Sequence, residues 1–348
     1  MVPYFKYLVH IDSTVKQALE KLDELAENAI LFLVDDQNKL LGSLTDGDLR
    51  RGFIKGLNFE DHLSKFIQPN PKFIKQGNYN IKEIIALREK FFTIFPVVNK
   101  EMQIINVVNF RNQKSYLPVD ALIMAGGRGQ RLRPFTDDTP KPLLPVGDKP
   151  IIEHNIDRLN TYGIDDIWIS VRYLGHQLVD YFGNGSDKAL RINYVWEEEA
   201  LGTAGALALV DGFMHDTILM MNSDLLTNID FEEFYLFFKE NEADFAVACI
   251  PYQVNVPYGV METEGNIVTG LKEKPTYTHY SNAGMYLMKK EVIDLVPKNE
   301  NFNATDLMEQ LIKDGKKVVA FPMVGYWLDI GKHEDYTKAA FDIKNIKF

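Results

Sequence analysis

The residues best suited to chemistry are a glycine cluster and a lysine braced by prolines. Ala125-Gly126-Gly127-Arg128-Gly129-Gln130-Arg131 follows the apolar run from Ala121 to Met124. Glycines let a backbone come close to a phosphate chain so that its N–H groups can donate. Arg131 adds a fixed-charge fork suited to phosphate oxygens. The spacing is neither the dinucleotide fingerprint nor a P-loop ending in Gly-Lys-Ser/Thr. A tight turn would call for the same glycines, so the cluster gains meaning from the next segment, Thr139-Pro140-Lys141-Pro142-Leu143-Leu144-Pro145. Prolines on both sides of Lys141 restrain the backbone and present a lone ammonium. Opposite a glycine loop, that cation makes a local positive pocket.

Such a pocket is needed because the chain as a whole is negative. Lys and Arg total 38 against 49 Asp and Glu in 348 residues, a formal charge of −11. That balance lacks the footprint of a nucleic-acid binder, so an anionic ligand must be held locally. The single cysteine, Cys249, rules out a disulfide framework or a four-cysteine zinc site, and its apolar surroundings read as a buried strand. The opening residues carry no basic and apolar leader, and no apolar run reaches the ~20 residues of a membrane span. The expected location is the cytoplasm. None of the seven histidines shows metal or triad spacing.

Two kinds of architecture must position these groups. From Asp120 onward, short apolar strands (Ala121–Met124, Ile167–Val171, Ile192–Val195, Thr217–Met221, Phe245–Cys249) alternate with helical patterns at Ile151–Leu159 and Phe231–Lys239. Alternation predicts an α/β fold with a mostly parallel sheet, whose ligands bind past the carboxyl ends of the strands. Before it, to about Tyr116, runs an imperfect repeat. Val15-x-x-Ala18, Ile30–Val34, Leu40–Leu44 and the helix opened by Thr45-Asp46-Gly47-Asp48 are echoed by Ile81-x-x-Ile84, Ile94–Val98 and Ile104–Val108. One such unit cannot bury both faces alone, so two should pack together. Ser115–Val119 reads as a linker, extended ahead of Pro118.

The repeat resembles a tandem of CBS domains, about 1–56 and 57–116, on the segment Gly42-Ser43-Leu44-Thr45-Asp46-Gly47-Asp48. The resemblance implies a regulatory nucleotide, with the Thr45 hydroxyl on a phosphate at a helix start and Asp48 on ribose hydroxyls. Thr45 or Asp46 could equally be a plain helix cap, leaving the module a structural or oligomerising role. The second unit has Asn106, Asn109 and Asn112 where the first has Gly42, Thr45 and Asp48.

Residues 120–348 resemble the sugar-1-phosphate nucleotidylyltransferases, on Gly126-Gly127-x-Gly129-x-Arg131 with Pro140-Lys141-Pro142. This implies a Rossmann-like nucleotidyltransferase domain with a mixed, mostly parallel sheet, preceded by the tandem CBS (α+β) pair. By the same resemblance Gly126, Gly127, Gly129 and Arg131 hold the nucleoside triphosphate and Lys141 contacts phosphates at the reacting centre. Asp224 of Asn222-Ser-Asp224 and Asp329 of Trp327-Leu-Asp329-Ile-Gly331 hold Mg²⁺, which favours carboxylates plus substrate phosphates. Gly259, Glu273 and Asn282 line the sugar, and Lys274 neutralises its phosphate. Glu197 with Leu201-Gly202-Thr203-Ala204-Gly205 resembles the base-binding segment of guanylyltransferases. There an acceptor-only carboxylate suits the N1–H and N2–H donors of guanine. Ala200 stands where the family often has Pro.

The expected reaction moves a nucleoside monophosphate, GMP from GTP by preference, onto a sugar 1-phosphate and releases pyrophosphate. In its domain pairing the chain resembles the glucosamine-1-phosphate guanylyltransferases, and that resemblance implies glucosamine 1-phosphate as the sugar, then mannose 1-phosphate. Thymidylyl or uridylyl transfer to glucose 1-phosphate, or a non-catalytic nucleotide-sensing protein of the same fold, are the alternatives. Retention of Arg131, Lys141, Asp224 and Asp329 together favours an enzyme. A homo-oligomer is compatible with either reading.

Overall fold

The computed structural model describes residues 4–77 and 79–346. Met1–Pro3, part of the stretch read above for a leader, and the last two residues of the second domain lie outside the described residues. The chain divides into two compact units. One takes the chain to Pro118 with Asn160–Ile164 and Ser186–Leu190. The other takes Val119–Leu159, Asp165–Gly185 and everything from Arg191 onward.

The first unit repeats a β–α–β–β order. β1 (Leu8–His10), α1 (Val15–Leu25), β2 (Ile30–Val34) and β3 (Leu40–Thr45) are followed by α2 (Asp46–Ile54). Then come β4 (Ile74–Lys75), α3 (Ile81–Glu89), β5 (Ile94–Val98) and β6 (Ile104–Asn109). α1 starts at a capping box between Thr14 and Gln17 and buries Val15, Ala18, Leu22 and Leu25 on one face. In both halves the first strand pairs parallel to the second and the second antiparallel to the third. The same bulge recurs at Leu33/Val34 and Val97/Val98. Asn38 and Met102 occupy matching left-handed turn positions, with φ of 58° and 64°. The two turns bond reciprocally: Leu40 N–H donates to the Met102 carbonyl and Ile104 N–H to that of Asn38, both at 2.9 Å. The echo stops after β6. Where the first half opens α2, the Asn109 side chain takes the Arg111 N–H (3.0 Å) and its carbonyl takes Asn112 N–H (3.0 Å), closing turns instead.

The second unit is built on a seven-stranded sheet. Its elements are β7 (Asp120–Met124), β8 (Pro145–Val146), β9 (Lys149–Pro150), α4 (Ile151–Thr161), β10 (Asp166–Val171), α5 (Gly175–Phe182), β11 (Arg191–Trp196) and β12 (Thr217–Asn222). β13 (Leu225–Thr227), α6 (Phe231–Glu240), β14 (Phe245–Asn255), β15 (Val260–Glu264), β16 (Ile267–Lys272) and β17 (Thr276–Lys289) follow. α7 (Ala304–Lys313), β18 (Val318–Pro322), β19 (Trp327–Asp329) and α8 (His333–Asp342) end it. The sheet order is β11-β10-β7-β12-β17-β14-β18, and only β17 runs against its neighbours. β10 and β11 lie on one side of β7 and β12 on the other, so the strand order reverses at β7. A crevice opens there, past the carboxyl ends of the strands. Cys249 is buried in β14, and burial pushes its thiol up.

At the opposite, amino end of the sheet, a buried polar knot joins the strands. Asp120 accepts the Met214 and His215 N–H groups and the His215 imidazole (2.6 Å), and Asp166 pairs with Arg191 (3.1 Å). Burial, against the Arg191 charge, pushes the Asp166 carboxyl up to about 6. Burial pulls the His215 imidazole down, but the hydrogen bond and charge of Asp120, with Asp165 and Asp166 close by, hold it above its ordinary value. In the folded state both groups bind protons more tightly than in the unfolded chain. Stability is therefore lost as pH rises, between about 4 and 6 through Asp166 and above about 6.5 through His215. The thermal midpoint should fall from pH 5.5 to pH 8, and His215→Gln should flatten the upper part of that decline. Melting curves with the same slope for both proteins would refute this.

Candidate active site

The crevice at β7 is a cleft of about 600 Å³, walled by the glycine loop, Lys141, Arg172, Glu197, Gly202–Thr203, Asn222–Asp224 and Gly331. Two of its glycines are demanded by close approach. Gly129 is left-handed (φ 61°), and a Cβ there would lie 2.9 Å from the Lys141 Cβ. A Cβ on Gly126 would lie 2.7 Å from the Glu197 Oε1. The glycine spacing is thus what lets a lysine from the next segment and a glutamate far off in sequence press against one loop.

Lys141 opens a short 3₁₀ turn between its flanking prolines and is nearly buried. Its ammonium is ion-paired with Asp224. Asp224 is brought to Asp329 by a short three-residue pairing: β13 and β19 run antiparallel with Leu225 opposite Asp329, and Ile330 N–H donates to the Asp224 carbonyl (3.0 Å). Each carboxylate keeps one buried oxygen, Oδ1, with no hydrogen-bond partner. Burial, then the charge of Asp224, raises the Asp329 carboxyl above its ordinary range, against the pull of Lys141 and Arg131. The Arg131 guanidinium packs over Gly331, 3.5 Å from where a Cβ would stand.

Two adjoining carboxylates with orphaned buried oxygens fit a hard divalent cation. Among the described residues no set of three or more His, Cys, Asp or Glu side chains could hold a metal. Two protein carboxylates with the remaining positions left to water and phosphate is the pattern Mg²⁺ takes beside nucleotides.

In the wall of the same cleft, Glu197 is buried and its carboxylate accepts from the Ser170 hydroxyl and from Leu201 N–H (3.2 Å). Gly202 is left-handed (φ 77°), and the Thr203 hydroxyl accepts Ala304 N–H (2.9 Å) at the start of α7. The residues expected at the sugar do not line this cleft. Gly259 and Glu273 adjoin each other, with a Gly259 Cβ falling 3.2 Å from the Glu273 Oε2. Glu273 and Lys274 are exposed in the turn between β16 and β17, Lys274 with φ 43°. Asn282 on β17 accepts Gly284 N–H (2.8 Å) and donates to the Tyr286 hydroxyl (2.9 Å). The next residue, Ala283, accepts the Trp327 indole N–H (2.8 Å), which ties that segment to the strand of Asp329.

In the first unit, Thr45 and Asp48 form a capping box at α2. Asp48 is buried, and its carboxylate accepts from Thr45 N–H (2.9 Å), the Thr45 hydroxyl (2.6 Å), Arg51 (2.5 Å) and Gln68 (2.9 Å). Burial raises its pKa, yet those bonds outweigh it and hold the carboxyl below the usual range. Arg172, in the cleft wall, is a lining cation to which the sequence assigned no role, as is Arg128 of the glycine loop. The available signal was a charged residue immediately after the apolar strand Ile167–Val171.

No described helix is long and apolar enough to cross a membrane. Residues 120–346 match the family model described as nucleotidyl transferase, and residues 7–55 match that of the CBS domain. A mannose-1-phosphate guanylyltransferase of Mycobacterium tuberculosis is 32% identical over 231 residues, covering 65% of this chain and 64% of that protein. A UTP–glucose-1-phosphate uridylyltransferase of Synechocystis is 31% identical over 253 residues, covering 65% of each. The chain thus spans under two thirds of the length of these curated relatives. A Bacillus anthracis protein described as a glucose-1-phosphate thymidylyltransferase, solved with sucrose, superposes with a TM-score of 0.55 at 28% identity, over 66% of this chain and 97% of that one. The match that begins at β7 and runs beyond α8 takes in the sheet, the glycine loop and both aspartates, and by it this chain belongs to the nucleotidyl transferase family, with a CBS domain ahead of it.

Proposed function

We propose that this chain transfers GMP from GTP to a sugar 1-phosphate and releases pyrophosphate. The observation that carries this reading is the convergence of Lys141, Asp224 and Arg131 on one cleft, with Asp329 set against Asp224 by the β13–β19 pairing. The sugar-phosphate oxygen attacks the α-phosphorus in line, and the bond from that phosphorus to the oxygen bridging to the β-phosphate breaks. A phosphate monoester has its second pKa near 6, so the nucleophile is already anionic and needs no general base. Alignment and charge stabilisation are then the protein's work. Lys141 and Lys274 offset repulsion between the two anions, and Arg131 faces the leaving pyrophosphate. The N–H groups of Gly126, Gly127 and Gly129 cradle the phosphates. When bound to Asp224 and Asp329, Mg²⁺ supplies charge neutralisation at phosphate oxygens. Glu197, Gly202 and Thr203 serve the base, and Gly259, Glu273 and Asn282 the sugar.

Relatives at similar identity are named for guanylyl and uridylyl transfer, so base preference rests on Glu197. Pyrophosphate release should be measured for GTP, dTTP, UTP and CTP against glucosamine, mannose and glucose 1-phosphates. GTP should lead, with glucosamine 1-phosphate first among the sugars. Equal rates with dTTP would favour the thymidylyl reading. No release from any pair would favour the non-catalytic one. We propose a cytoplasmic location; no helix among the described residues is long and apolar enough to cross a membrane.

The second half of the first unit reads as a degenerate CBS repeat, because strand order, bulge and turn recur there. A regulatory nucleotide at Thr45 and Asp48 would have to displace Arg51 or Gln68 from the carboxylate. Calorimetry of the full chain with ATP, ADP and AMP tests it. Binding should be lost in Asp48→Asn, whereas no heat with any of them leaves the module an assembly role.

A further inference from the structure

Val171 closes β10 in register with Trp196 of β11, and Glu197 N–H donates to the Val171 carbonyl (3.0 Å). Arg172 and Glu197 therefore leave the sheet from adjacent strand ends, and both side chains line the cleft. The Nε–H of Arg172 is buried and has no hydrogen-bond partner. The neighbouring carboxylate does not answer it, since Glu197 accepts from Ser170 and Leu201 instead. A buried guanidinium N–H without an acceptor is costly. A site that keeps one suits an acceptor that arrives with the ligand.

Position decides which acceptor. Of the other cations of the cleft, Lys141 is paired with Asp224, Arg131 packs over Gly331, and Arg128 lies over the Tyr173 ring. Arg172 stands with Glu197, to which the base is assigned. We propose that Arg172 reads the base of the incoming nucleotide, donating to O6 and N7 of guanine while Glu197 accepts from N1–H and N2–H. This rests on the guanylyl reading above and deepens it. The planar guanidinium fork matches two neighbouring acceptors, and guanine alone among the bases presents O6 beside N7. Adenine places an amino group where O6 would be, setting donor against donor. Pyrimidines offer no N7. Glu197 by itself accepts from any base edge that carries an N–H, so Arg172 supplies what excludes the other bases.

The test compares kcat/KM of the wild-type chain, Arg172→Gln and Arg172→Lys with GTP, 7-deaza-GTP, ITP, UTP and dTTP. Arg172→Gln should lose about ten- to a hundredfold on GTP. It should not distinguish GTP from 7-deaza-GTP, which the wild type should disfavour by several-fold. The ITP-to-GTP ratio, which reports on the N2 amine at Glu197, should match wild type. Arg172→Lys keeps the charge without the fork and should remain within a few-fold of the Gln variant. Should Arg172→Gln not fold, as judged by melting, the Lys variant and wild-type discrimination against 7-deaza-GTP decide the matter. An equal loss on all nucleotides, with wild type still preferring GTP, would make Arg172 a phosphate contact and overturn this proposal alone. An unchanged GTP rate in Arg172→Gln would do the same. Wild-type preference for dTTP or UTP would overturn the guanylyl reading along with it.

Discussion

Asp329→Asn is expected to cut turnover by about 10²–10⁴-fold, the rate equivalent of several kcal/mol of charge stabilisation at the reacting phosphates. The same substitution should raise the melting temperature of the metal-free protein. Asp329 is buried against Asp224, and each carries an oxygen with no donor, so an uncharged amide relieves repulsion that the native site sustains for its ligand. Asp224→Asn should cost as much activity without the same gain in stability, because it also strips Lys141 of its ion-pair partner. Melting curves with and without Mg²⁺ check the assignment: the ion should stabilise the wild type and leave both variants nearly unmoved. Near-normal turnover in either variant would remove the two aspartates from the reaction.

Lys141→Ala should be as damaging to turnover but opposite in its effect on stability. Removing the ammonium leaves Asp224 and Asp329 facing each other with Arg131 as the remaining nearby cation, and the Lys141 and Asp224 side chains are only 11% and 20% exposed. Breaking a largely buried pair by deleting one partner costs about 3 kcal/mol. Mg²⁺ should recover much of that loss by occupying the carboxylates while leaving turnover low, since the charge at the reacting centre is not restored. A variant that melts like wild type in EDTA would show that Lys141 does not hold the two aspartates together. These opposite shifts separate a structural lysine from one that serves phosphate.

Much of this arrangement was legible because it is local. Five of the seven strands of the central sheet carry a short apolar run, two of the flanking helices show their own period, and the glycine loop is contiguous with the strand that carries it, whereas the long, largely polar β17 gave no such signal. The repeat was legible for the same reason, with Thr14 and Thr45 capping α1 and α2. The limit of that legibility is visible at Asn109, whose side chain bonds its own backbone where the first half opens α2, so that the repeat ends there in tight turns. Family resemblance, and no pattern in the chain itself, paired Asp224 with Asp329.

Tertiary structure decided what depends on distant segments meeting. The two aspartates meet through three-residue strands, too short to show any period, whose pairing is fixed by the packing around them. Only the fold shows that Gly126 and Gly129 are glycine because Glu197 and Lys141 press on them. Only the fold shows that Asp48 is already engaged by four donors, and that Glu273 and Lys274 stand in an exposed turn away from the cleft lining. Arg172 carried no motif, and its significance is an N–H buried without an acceptor. Local propensity and turn chemistry are written within about ten residues of chain. Burial and hydrogen-bond satisfaction are properties of groups that become neighbours only after the chain has folded.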